Sequence, residues 1–102
     1  SGRTIQVNTV RLDTLINRFG FTHVDLVKMD IEGAEYHVLT DHSLDLSKVR
    51  NIVVSVHYET RSRESREIIL ALRKKGFRTI PLSRESPWPV YHLIACRDEI
   101  PW

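Results

Sequence analysis

Val24-Asp25-Leu26-Val27-Lys28-Met29-Asp30-Ile31-Glu32-Gly33-Ala34-Glu35 is the stretch that decides the fold class of this 102-residue chain. Val24 to Met29 is a nearly continuous apolar run, interrupted by Asp25 and Lys28. Such runs belong to strands covered on both faces, as in parallel sheets. Gly33 breaks the run, and Ala34 to Thr40 is long enough for a short helix.

Toward the N-terminus, Leu12, Leu15, Ile16 and Phe19 fall at i, i+3, i+4 and i+7. They form one apolar stripe on a short helix, with Asp13 near its positive end and Gly20 placed to terminate it. Thr4 to Val10, with Ile5 and Val7 alternating, suits a short strand or an extended lead-in. Toward the C-terminus, Asp41 to Arg50 is polar and irregular, and Ile52, Val53, Val54 and Val56 then make the clearest strand. Ser62 to Lys75 is the best helix: Ile68, Ile69, Ala71 and Leu72 supply its stripe, acids sit early, and Lys74 and Lys75 precede Gly76. Arg78–Leu82 and Tyr91–Arg97 are two more strands, separated by Pro87, Trp88 and Pro89, which forbid regular pairing. This order of elements predicts an α/β fold with right-handed crossovers and a mostly parallel sheet ending in an antiparallel terminal hairpin.

A hydrophobic share of 41% allows a real core, and the length allows one domain at most. A formal charge of +2 gives no argument for nucleic acid or a membrane surface. Cys96 is the only cysteine, which excludes an intrachain disulfide and a thiolate metal cluster; its setting is that of a buried strand position. No apolar run approaches the ~20 residues of a membrane span. Composition alone points to a cytoplasmic domain, or to a soluble part of something larger.

Leu12-Asp13-Thr14-Leu15-Ile16, then Lys28-Met29-Asp30-Ile31-Glu32-Gly33-Ala34-Glu35, then Val38-Leu39, together resemble the FkbM family of S-adenosylmethionine-dependent methyltransferases. The resemblance implies the C-terminal half of a class I, Rossmann-like methyltransferase sheet. Val24–Met29 would be its fourth strand and Ile52–Tyr58 its fifth, followed in space by the seventh and then the sixth. On this reading residues 1–102 are a partial domain running from the fourth strand onward, without the cofactor-binding N-terminal half. The four glycines, Gly2, Gly20, Gly33 and Gly76, form no G-x-G turn of the kind that lets a backbone approach such a cofactor closely. The cofactor implied for the complete domain is S-adenosylmethionine; the chain alone is expected to be inactive.

Ligands of open α/β sheets sit beyond the carboxyl ends of the strands. Asp30 and Glu32, at i and i+2, fall on one side if the first strand's alternation persists, and His57 and Glu59 stand in the same relation after its neighbour, so the four side chains are expected to share one mouth. If the family's O-methylation applies, His57 is the natural general base for a hydroxyl acceptor, because imidazoles titrate near neutrality. Asp30 and Glu32 would then orient the acceptor or favour the cofactor's sulfonium, and Glu59 would contact substrate. A second reading makes Glu32 a simple helix-start carboxylate and His57 structural. The family often carries an acid two positions before the histidine, where this chain has Ser55. Lys28 is assigned no catalytic role. No metal is expected, since His37 and His42, five apart, share no helical face.

The expected partner is a small-molecule hydroxyl acceptor such as a sugar or polyketide, with no nucleic acid and no membrane. The alternative is a non-catalytic α/β half-domain acting as a folding or dimerisation module. With the N-terminal half absent, the outer edge of Val24–Met29 is expected to be open, and a homodimer through this strand is favoured over cover by Thr4–Val10. A barrel phosphodiesterase of the EAL type also has a strand ending in lysine, apolar residue, aspartate, but its glutamate-alanine-leucine signature is missing here.

Overall fold

In the computed structural model, β-branched residues draw Val49–Val56 into the central strand β3, which begins three residues earlier than the apolar run predicts. The structure describes residues 4–7, 12–82 and 91–98. Around β3 lie β1 (Thr4–Val7), α1 (Leu12–Arg18), β2 (Val24–Met29), α2 (Glu35–Leu39), α3 (Arg63–Lys74), β4 (Arg78–Leu82) and β5 (Tyr91–Cys96). Pro87, Trp88 and Pro89 lie outside the described residues.

The strands form one five-stranded sheet in the order β1-β2-β3-β5-β4. β1 runs parallel to β2 and β2 parallel to β3, whereas β5 runs antiparallel to both β3 and β4. The sheet is therefore mixed, with half of its pairings parallel rather than most of them. From β2 onward its order is the one expected above.

The connections β1–α1–β2, β2–α2–β3 and β3–α3–β4 all step the same way across the sheet. Right-handed crossovers then place all three helices over one face. Burial alternates accordingly. Val27, Met29, Ile52, Val54, Val56, Tyr91, Leu93 and Ala95 are buried, while their neighbours Leu26, Val53 and Ile94 are half-buried and Lys28 and His92 are exposed. The expectation that β2 is covered on both faces is thus corrected: one face is core and the other is only partly covered. Cys96 likewise is half-buried, on the less covered face.

α3 supplies much of the cover. Ser62 caps it by accepting the Ser65 N–H at 3.1 Å, and Ile68 and Leu72 are fully buried. Each such side chain contributes about 1.5–3 kcal/mol. α1 is held less deeply: Ile16 is buried, but Phe19, predicted to share its stripe, is 63% exposed and stacks on Phe21. The helix ends before Phe19, at Arg18, and Gly20 turns the chain at φ 70°.

The edge of β2 is not open. Thr4–Val7 pairs with it from Leu26 to Met29, the less favoured of the two arrangements considered above. The homodimer through strand 24–29 therefore loses its premise, because the backbone groups it would use are bonded to β1. Among the described residues, no helix is long and apolar enough to cross a membrane.

Candidate functional site

β2 and β3 end side by side, so Asp30 and His57, each the first residue beyond its strand, meet at the same end of the sheet. His57 Nε2 lies 3.8 Å from Asp30 Oδ1. The imidazole is 26% exposed and the Asp30 carboxylate 64% exposed, so the pair opens toward solvent.

The other ring nitrogen faces inward. His57 Nδ1 lies 3.0 Å from Oε1 of Glu35, a residue that is wholly buried. The same oxygen accepts the His57 backbone N–H, and Oε2 accepts the Gly33 N–H at 2.8 Å. Burying a carboxylate is costly, and here hydrogen bonds to both its oxygens offset that cost. Glu35 thereby joins three things: the end of β3, the turn after β2 and the histidine ring.

The turn itself is locally strained. Ala34 N–H bonds the Ile31 carbonyl at 3.1 Å, and within this turn Glu32 and Gly33 take φ of 50° and 97°. Glycine adopts such angles freely, whereas glutamate does so at a cost of roughly 1–2 kcal/mol. The turn is clamped from the opposite side by Tyr58, whose hydroxyl donates to the Gly33 carbonyl at 2.7 Å. Burial, reinforced by the charges of Glu35 and Glu64, raises the Tyr58 phenol above its ordinary value, so it stays a donor. Tyr36 bonds Glu67 across the α2–α3 interface, and that hydrogen bond, followed by burial, raises its phenol too.

Of the four residues expected to converge, the structure brings together Asp30 and His57. β2 ends at Met29, so Glu32 does not continue its alternation; it sits exposed in the turn. Glu59 is exposed, and its carbonyl accepts from Ser62 at the start of α3. No hydrogen bond or ion pair joins Glu32 or Glu59 to Asp30 or His57 among the described residues. Glu35 is the functional candidate that sequence reasoning passed over. Its signal was present: Glu35 and Leu39 stand at i and i+4, on the same inward face of α2.

A buried carboxylate behind a half-buried imidazole, with a second carboxylate in front, can do one thing well. It holds the ring in a single orientation with Nε2 outward, where that nitrogen can take a proton from a hydroxyl.

The Methyltransferase FkbM domain family model matches residues 1–79, and the chain belongs to that family. No curated protein and no solved structure matches it.

Proposed function

We propose that this member of the FkbM methyltransferase family carries the acceptor side of a class I, Rossmann-like methyltransferase domain, in which a substrate hydroxyl is O-methylated. The observation that carries the reading is the Glu35–His57–Asp30 arrangement at the carboxyl ends of β2 and β3. Glu35 holds His57 through Nδ1, so Nε2 is directed toward the mouth. As the acceptor oxygen attacks, its proton passes to His57 Nε2. The imidazolium so formed lies between two carboxylates, the buried Glu35 and the exposed Asp30, which favour its charge.

S-adenosylmethionine, when bound, would supply an electrophilic methyl on a sulfonium. Asp30 is the described residue suited to that cation, being an exposed carboxylate at the strand end. The described residues form no glycine turn against which the rest of the cofactor could pack. For the same reason the 102-residue chain alone is expected to show no saturable S-adenosylhomocysteine binding at tens of micromolar, about 6 kcal/mol of binding. A cytoplasmic location and a sugar or polyketide acceptor complete the proposal.

In an active protein containing this chain, His57→Ala should lower turnover by ~10²–10⁴ while cofactor affinity changes little. A fall smaller than about threefold would make His57 structural and remove the reading.

A further inference from the structure

The strand registers arrange the less covered sheet face in rows. Ser55 stands opposite His92 and, in turn, His92 opposite Leu82; one step back, Lys28 stands opposite Val53, which stands opposite Ile94. Extending the β2–β3 register by one residue sets Asp30 beside Ser55. A polar row at the carboxyl ends of the parallel strands thus borders an apolar row, with Lys28 at its end.

Lys28, Asp30, Ser55 and His92, with Met29 and Val53, line one cavity of ≈ 210 Å³. Complete ligand pockets run to roughly 300–1,000 Å³, so this one suits a single ring or head group. Among the described residues, the side chains of Lys28, Ser55 and His92 have no hydrogen-bond or ion-pair partner. Three donors are therefore uncommitted around a space whose one carboxylate, Asp30, is turned toward His57 at 3.8 Å. An ammonium beside a hydroxyl and an imidazole recognises an anion.

We infer that this cavity is the acceptor subsite, and that it takes a hydroxylated acceptor bearing a carboxylate or phosphate, anchored by Lys28, Ser55 and His92. Anchored there, the acceptor presents its hydroxyl toward Asp30 and His57. The inference rests on the proposed function for the identity of the reacting hydroxyl, but the binding itself requires no methyl transfer.

The test is a chemical-shift titration of the ¹⁵N-labelled 102-residue chain with glucuronate, glucose 1-phosphate, glucose and inorganic phosphate. Saturable shifts at Lys28–Asp30 and His92, at low millimolar glucuronate or glucose 1-phosphate, are expected. The stronger of the two identifies the anionic group. Lys28→Gln should weaken binding about tenfold, the usual size for losing a charged hydrogen-bond partner, and His92→Asn about threefold or more. Lys74→Gln, at the end of α3 and outside this cavity, should leave it within about twofold. Equal binding of glucose, equal binding of bare phosphate, absence of saturation, or unchanged binding in Lys28→Gln would each overturn the inference. Intact anion binding in a protein whose turnover ignores His57→Ala would remove the proposed base and leave the subsite standing.

Discussion

Glu35 Oε1 lies 3.0 Å from His57 Nδ1, joining a wholly buried carboxylate on α2 to an imidazole at the end of β3. The contact spans 22 residues of chain and ties the acidic turn after β2 to the neighbouring strand. The proposed chemistry and the local stability therefore depend on the same side chain.

Glu35→Ala should cost about 3–5 kcal/mol in urea unfolding, because it empties a buried volume and strips acceptors from two backbone N–H groups. Glu35→Gln keeps the shape but puts an amide donor against the N–H of either Gly33 or His57, and should cost about 1–3 kcal/mol. Equal stability of Gln variant and parent would show that the carboxylate's second oxygen has no role in the turn.

Glu32 tests whether strain has been kept for function. At φ 50° and with an exposed side chain, Glu32→Gly should raise stability by about 0.5–1 kcal/mol. If activity in an active protein containing this chain also survives this change, Glu32 leaves the list of candidate site residues. A loss of turnover with gained stability would return it there.

Arg97 is a staple at the end of the sheet opposite Asp30 and His57. Its guanidinium donates to the carbonyls of Val49 (2.7 Å), Lys75 (2.7 Å) and Leu46 (2.8 Å), and it stacks over Phe77 at 3.9 Å. Burial lowers its pKa, with Asp45 opposing, yet a guanidinium remains charged at neutral pH. Arg97→Lys keeps the charge but loses the planar fork, and should cost about 2–4 kcal/mol by thermal or chemical unfolding. Gly76→Ala should cost about 1–3 kcal/mol, since φ is 95° and the added Cβ would stand 2.7 Å from Arg97 Nη1. A neutral Arg97→Lys variant would mean that the three carbonyls find other donors.

Asp45 gives a pH dependence with a defined sign. Hydrogen bonds from Ser47, side chain before backbone, lower its pKa below 3.8, and its Oδ1 accepts the Ser47 N–H at 2.9 Å. A carboxyl depressed on folding adds stability above its unfolded value, and that stability is lost as pH falls through the folded value. Asp45→Ala should thus lower the melting temperature slightly at pH 6 and hardly at all near pH 2. The effect is small because the group is exposed. The same loss at both pH values would assign it to packing.

Much of the fold was legible because its elements announce themselves locally. The β-branched run at Ile52–Val56 and the capped, striped helix from Ser62 are backed by both propensity and burial. What was not legible is relational. The Val24–Met29 run looks doubly covered, yet only the crossover directions reveal that the helices crowd one face. Thr4–Val7 reads as extended, but extended sequence does not name its partner. At the site, Asp30 and His57 follow from strand ends, whereas Glu35 sits on a helix and reaches back beneath a strand. Glu32 and Glu59 were assigned to the mouth by strand alternation that stops at Met29 and Val56.

Which nitrogen of His57 carries the proton decides whether Nε2 is free to act as the base. The imidazole ¹⁵N shifts of the labelled chain, followed with pH, report this. The geometry predicts that neutral His57 holds its proton on Nδ1, donated to Glu35, and leaves Nε2 unprotonated toward Asp30 and the mouth. Glu35→Ala should abolish that preference. A neutral His57 protonated on Nε2, or a preference unchanged without Glu35, would contradict the assignment of His57 as a base held by a buried carboxylate.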